Sequence, residues 1–407
     1  MASSKLQTEF PTKLGDLSGN LFQPLTKPTP TKLITTNQNR PKVLLTSVKI
    51  PDEHIWANGL FQNVYVCYRL LESIGYEPYM LVENNKNHTE AKVHKKFRVL
   101  DFPEYLAKPF PVVAYIEMAM SCHPSIRKFF KSIGCKTIKV YFGNILNIDI
   151  ETITFYKQMN FSHHLAGELD EIWTSPHYDF HADYCGSING ILGKTRIAPY
   201  VWDPMFIEEN GTKYDSSKLT LTSPRNFIIM EPNISFQKSS FVPILAIEAY
   251  YRKFPDRVNE IITINGDKLL NNPYFRDNIL PNLHIALSGK LKLLPRANII
   301  NLVKVVNDAI VVQHQMNNEY NYSFLEYSTM NYPVVHNIRR FKDYGYYYEN
   351  ANFLQASEQI ENIVKYHDLN KESYSAQNNQ LKWRFSISNP ENQKSWNQLV
   401  GNFTNLT

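Results

Sequence analysis

Short apolar runs alternate with helically spaced apolar positions along most of the chain. Lys42-Val-Leu-Leu-Thr-Ser47 reads as a buried strand. Leu60, Val64, Cys67, Leu70, Leu71 and Ile74 then recur at helical spacing, and Gly75 closes that helix before the strand Pro78–Val82. The same alternation continues through strands at Pro111–Ile116, Thr137–Phe142 and Glu171–Thr174, with helices at Pro124–Ser132, Glu151–Asn160 and Pro176–Cys185. Thr195–Val201 ends this half. A second series begins at Arg225–Met230, followed by a helix of about 241–253 and the strand Glu260–Asn265. Leu283–Leu287 and Ile299–Val306 carry the alternation to the strand Ala309–His314, a polar loop, a short helix Tyr322–Met330, a turn at Asn331-Tyr-Pro333, and the strand Val334–His336.

Strand–helix–strand order implies parallel sheets, and two such series imply two doubly wound, Rossmann-like α/β domains. The expected limits are 41–205 and 225–370, joined by a polar linker at 206–224. Residues 1–40, rich in Pro, Thr, Lys, Asn and Gln, predict an extended arm. Residues 371–407, which include the apolar stretch around Trp396, predict a closing helical segment. Ligands of such sheets gather outside the carboxyl ends of the strands, so two domains facing each other predict a cleft with a small-molecule site.

A length of 407 residues agrees with two domains. The net charge of +5 is mild, and the absence of a Lys/Arg-rich block argues against nucleic acid as a partner. The four cysteines, Cys67, Cys122, Cys135 and Cys185, form no C-x-x-C pair and read as buried free thiols in a reducing compartment. No apolar run reaches the roughly 18 residues of a membrane helix, and the N-terminus lacks an apolar signal core. The expected location is the cytoplasm, of a host cell if the source is viral.

Several stretches carry more than fold. Leu325-Glu326-Tyr-Ser-Thr-Met-Asn331-Tyr-Pro333-Val-Val335 resembles the donor-binding motif of GT-B glycosyltransferases, in which an acidic residue stands in a helix that leads into a Pro-Val-Val strand. Six phrases in order widen the resemblance. They are Gly134–Asn144, Glu171–Pro176, Pro199–Pro204, Met230–Asn233 with Lys238, Asn321–Asn337, and Gly345–Tyr348. Together they are similar to a GT-B-like family of bacterial and phage proteins known as a domain of unknown function. A fold of this kind does not by itself assign a reaction.

The resemblance implies a glycosyltransferase that draws on a nucleotide sugar, such as a UDP- or GDP-sugar, with no other cofactor, and passes the sugar to a glycan, protein or small-molecule acceptor. Glu326 would hold ribose or sugar hydroxyls. Where retaining members carry a second carboxylate, eight positions earlier, this chain has Asn318 with Glu319 beside it, so either residue is a candidate for sugar contact. Lys238, between a strand and a helix, is the expected cation for the diphosphate, with Asn233 and Ser235 as further donors. His314 ends a strand and is a candidate for the reacting centre, against a structural role; His336 reads as structural. Asn58-Gly59 opens the first helix and either receives an anion or relaxes a turn. Gly143-Asn144 is a candidate acceptor-side loop, and Asp52, His54, His123, His163 and Asp203 are open choices for a base. No D-x-D occurs, which points to transfer without a metal. The alternatives are a catalytically silent nucleotide- or sugar-binding protein, another enzyme of the same fold (an epimerase or phosphorylase), and a transferase acting on DNA bases.

Overall fold

The computed structural model describes residues 40–47, 55–56, 59–82, 96–118, 121–155, 164 and 168–403. Residues 1–39 of the predicted arm, Asn58, and Asp52, His54 and His163 lie outside them.

The first domain contains β1 (Lys42–Thr46), α1 (Gly59–Ser73), β2 (Glu77–Val82), β3 (Val99–Asp101), α2 (Phe102–Ala107), β4 (Ala114–Glu117), α3 (Pro124–Ser132), β5 (Lys136–Tyr141), α4 (Ile145–Phe155), β6 (Glu171–Thr174), α5 (Ala182–Ile188) and β7 (Thr195–Ile197). These strands form one parallel sheet in the order β3-β2-β1-β4-β5-β6-β7. Helix α6 (Met205–Asn210) leads to β8 (Arg225–Met230), α7 (Phe241–Lys253), β9 (Val258–Ile264), α8 (Asp267–Leu270), α9 (His284–Leu287), β10 (Leu291–Leu294), α10 (Ile299–Val305), β11 (Ile310–Val312), α11 (Tyr322–Thr329), β12 (Val334–His336) and β13 (Tyr346–Tyr347). The second sheet, also parallel, runs β10-β9-β8-β11-β12-β13. Three helices follow: α12 (Phe353–Tyr366), α13 (Lys371–Phe385) and α14 (Pro390–Val400).

The central strands are legible because both their faces are covered. Val43, Leu44 and Leu45 of β1 and Phe227, Ile228 and Ile229 of β8 are all buried, the continuous apolar run expected of a parallel sheet. Of the runs that continue the pattern through 283–306, Leu283–Leu287 holds a single helical turn and Ile299–Val305 a helix, while the strand falls at Leu291–Leu294. That strand pairs only with β9 at the sheet edge and is half exposed, which removes its apolar signature.

In each sheet the winding direction reverses once, between β1 and β4 and between β8 and β11. A crevice opens at the carboxyl ends of such strands. The two crevices face each other, and polar contacts join the domains across the junction. Helix α14 returns to the first domain. Trp396 donates through Nε1 to the Pro199 carbonyl at 3.0 Å and packs edge-on against Trp173, and the Tyr76 hydroxyl donates to the Val400 carbonyl at 3.4 Å.

Candidate active site at the domain junction

The loop after β8 positions Lys238. Asn233 takes a left-handed backbone (φ 51°), and its side chain is consumed in holding the loop: Oδ1 accepts from Ser240 N at 2.7 Å, and Nδ2 donates to Ser240 Oγ and to the Asn265 carbonyl. Ser235 caps the short turn Phe236–Lys238, accepting from Gln237 N at 3.1 Å. Its hydroxyl donates to Glu151 Oε1 of the first domain at 3.1 Å, and Phe236 N donates to the same oxygen at 3.0 Å. Lys238, at the end of this turn, makes no side-chain hydrogen bond or ion pair with any described residue. Burial holds its amine below the ordinary lysine range, with Glu231 acting in the opposite sense.

Three residues after β11 continue the wall. His314 Nδ1 is 2.9 Å from the Tyr348 hydroxyl, and burial pushes its pKa down to about 4, so the ring is neutral. Gln315 Nε2 donates to Glu231 Oε1 at 2.8 Å. Asn318 donates to Gln315 Oε1 at 2.9 Å and accepts from the Tyr178 hydroxyl of the first domain at 2.6 Å. Glu319 lies nearer the rim, paired with Arg340 at 2.9 Å, and Arg340 also donates to the Pro176 carbonyl of the first domain. His336 is fully buried between the Tyr344 carbonyl and Ile338 N, within the second domain's core.

Helix α11 starts at an Asn321 cap and carries Glu326 on its buried face, 6% exposed. Glu326 Oε1 accepts from Gln62 Nε2 of α1 at 2.9 Å. Burial raises its pKa to about 7, and the Gln62 amide acts against that rise. Beside it the Tyr322 hydroxyl donates to Asn63 Oδ1 at 2.5 Å. Gly59 is the first residue of α1, and a Cβ there would stand 2.7 Å from the Tyr322 ring, so the glycine permits close approach of the two domains. On the first-domain side, Asn144 is 1% exposed; it caps α4 by accepting from Asn147 N, and donates to the Asn317 carbonyl of the second domain at 3.3 Å. Gly143 precedes it with room beside its backbone.

The structure thus brings Asn318, Glu319, Glu326, Gly59 and Asn144 to one junction, with Lys238 near His177 of the first domain and Asn233 and Ser235 as loop supports, while the contacts of His314 lie within the second domain. Of the described choices for a base, His123 caps α3 on the surface, and Asp203 Oδ1 accepts from Met205 N at 2.9 Å. Several junction residues went unread in the sequence: Gln62, Asn63, Glu151, Tyr178, Gln315, Arg340 and His177. His177 packs against Tyr320 with ring centres 4.4 Å apart, and its Nδ1 is buried without a partner. Burial, then Arg340, His181 and Lys238, push its pKa down to about 3, which places two cations in its neighbourhood. Gln62 and Asn63 did carry a signal, as adjacent polar residues that fall among the buried positions of α1. Among the described residues no group of three or more His, Cys, Asp or Glu is placed to hold a metal ion. No helix among them is long and apolar enough to cross a membrane.

No curated protein matches the sequence. Solved structures do match its fold. A glycosyltransferase from Rickettsia africae aligns over 90% of this chain and 99% of its own, with 14% identity and a TM-score of 0.52. A trehalose-6-phosphate protein from E. coli bound with UDP-2-fluoro glucose covers 89% of this chain and 98% of its own, with 12% identity and a TM-score of 0.54. Sucrose-phosphate synthase from Thermosynechococcus elongatus covers 90% and 100%, with 10% identity and a TM-score of 0.52. At these identities the likeness is one of architecture: two parallel-sheet α/β domains of the GT-B kind. By sequence, residues 44–400 match the model of the protein family of unknown function DUF2827, and the chain belongs to that family.

Proposed function

We propose that this chain is a glycosyltransferase that binds a UDP- or GDP-sugar at the domain junction and transfers the sugar, without a metal ion, to an acceptor approaching from the first domain. The observation that carries this reading is the state of Lys238. A half-buried amine held at the carboxyl edge of a parallel sheet, with no partner among the described residues, is poised for an anionic ligand. Transfer breaks the bond between the anomeric carbon and the phosphate oxygen and forms one to the acceptor oxygen. The electron pair leaves with the diphosphate, the acceptor hydroxyl loses its proton to solvent, and a fixed cation facing the leaving oxygen stabilises the growing charge. Glu326 supplies a carboxyl group for the hydroxyls of the ribose or sugar. Gln62 occupies its Oε1, which leaves Oε2 for a ligand hydroxyl.

The second reading is a nucleotide- or sugar-binding protein without turnover. It is favoured by the lack of an unpaired carboxylate at the loop, where position 318 is an amide and Glu319 is paired with Arg340. Release of nucleoside diphosphate from a panel of UDP- and GDP-sugars, with a chelator present and with glycan and peptide acceptors, separates the two. The transferase reading expects release with one donor class and no loss on chelation. Binding of a nucleotide sugar with no release under any condition favours the second.

A further inference from the structure

We propose that Glu231 is a ligand-binding residue of this site, acting as a neutral carboxylic acid whose Oε2 donates its proton to a diphosphate oxygen of the bound nucleotide. The proposal rests on the reading of Lys238 as the diphosphate cation.

Glu231 follows β8 at the point where the winding of the second sheet reverses, and it is 1% exposed. Its two oxygens differ. Oε1 accepts from Gln315 Nε2 at 2.8 Å, while Oε2 is buried with no hydrogen-bond partner. A full negative charge on an enclosed, unbonded oxygen is strongly disfavoured, whereas a hydroxyl there lacks only an acceptor. The groups facing it do not supply one. Lys238 attracts it but forms no ion pair with it, Asn265 Nδ2 donates to its backbone carbonyl, and Tyr348 is a phenol that burial keeps protonated. Among the described residues the buried Glu231 and the half-buried Lys238 are therefore two neighbouring donors without acceptors, and a phosphate oxygen between them satisfies both. Burial pushes the Glu231 pKa up to about 8, in keeping with a neutral acid near pH 7.

The same geometry gives Asn318 a role. The Tyr178 hydroxyl donates to Asn318 Oδ1, Asn318 Nδ2 to Gln315 Oε1, and Gln315 Nε2 to Glu231 Oε1. Each amide both accepts and donates, and the chain delivers a donor to Oε1, leaving the acid proton on Oε2. A carboxylate at 318 has no proton to hand on. Asn318 and Gln315 are positioning residues, and Tyr178 makes their alignment depend on the first domain.

Calorimetric titration with UDP and GDP, at about pH 7 and about pH 9, tests this with wild type, Glu231→Gln and Asn318→Asp, each checked for retained fold by its melting curve. The diphosphate that binds wild type is expected to bind about tenfold more weakly at the higher pH. Glu231→Gln, which keeps a neutral donor, is expected to match wild type near pH 7 and to lose most of the pH dependence. Asn318→Asp is expected to weaken binding about tenfold near pH 7. Three results overturn the proposal while leaving Lys238 its role: wild-type binding unchanged across the range, an alkaline loss that persists in Glu231→Gln (which assigns it to Lys238), or Asn318→Asp binding as well as wild type. If neither diphosphate binds wild type at either pH, the diphosphate reading of Lys238 fails, and this proposal with it.

Discussion

Lys238→Ala is expected to weaken binding of the nucleotide sugar by roughly ten- to a hundred-fold while leaving the free protein at least as stable as wild type. A charge-assisted hydrogen bond is worth about 1.5–3 kcal/mol, and the ligand would lose one such contact. The free protein would lose little, because the Lys238 amine has no partner among the described residues and its partial burial is unfavourable. Isothermal titration and thermal melting of the two proteins measure the pair of effects. A variant that binds the donor normally removes Lys238 from the site. One that is less stable by several kcal/mol makes the residue structural instead.

Glu326→Gln is expected to move stability and function in opposite directions. In the folded chain burial lifts the Glu326 carboxyl from the ordinary range near 4.5 to about 7. The native state therefore holds this proton to higher pH than the unfolded chain, so stability falls as pH rises from about 4.5 through about 7. An amide at 326 cannot ionise, so the variant should melt above wild type near pH 8, with the gap closing towards pH 5. The same change removes the carboxylate that accepts hydroxyl protons, and transfer or donor affinity should fall at least about tenfold. Melting curves across the pH range and donor binding at one pH check both signs. Loss of stability together with loss of binding would mean that Glu326 serves the fold through its contact with Gln62. Unchanged binding would take it out of the donor site.

The fold was legible because both parallel sheets are covered on both faces. β1, β5, β6 and β8 have interiors apolar enough to stand out, and helices such as α7 fall within the predicted spans. What escaped were β3, β10 and β13, strands of two to four residues set at or near sheet edges, where pairing holds the backbone without an apolar run. The site was legible only in its local parts. Lys238 after its strand and Glu326 within its helix belong to short contiguous phrases. The partners that shape them are far away in sequence. Gln62 lies 264 residues from Glu326, Tyr178 140 from Asn318, and Glu151 84 from Ser235. No periodicity connects such positions. Asn318 shows the limit most clearly: in sequence it reads as a missing carboxylate, and in three dimensions it is an amide using both its ends.

If the domain junction receives a nucleotide-activated sugar through Lys238, a thermal-shift panel of nucleoside diphosphates and nucleotide sugars with a chelator present shows it. A ligand at a hundred times its dissociation constant adds about 2.7 kcal/mol of stability. One nucleotide class is expected to raise the melting temperature, and the rise is expected to disappear in Lys238→Ala. A flat panel, with or without Mg²⁺ or Mn²⁺, or a shift that Lys238→Ala leaves intact, means that Lys238 does not hold a nucleotide there.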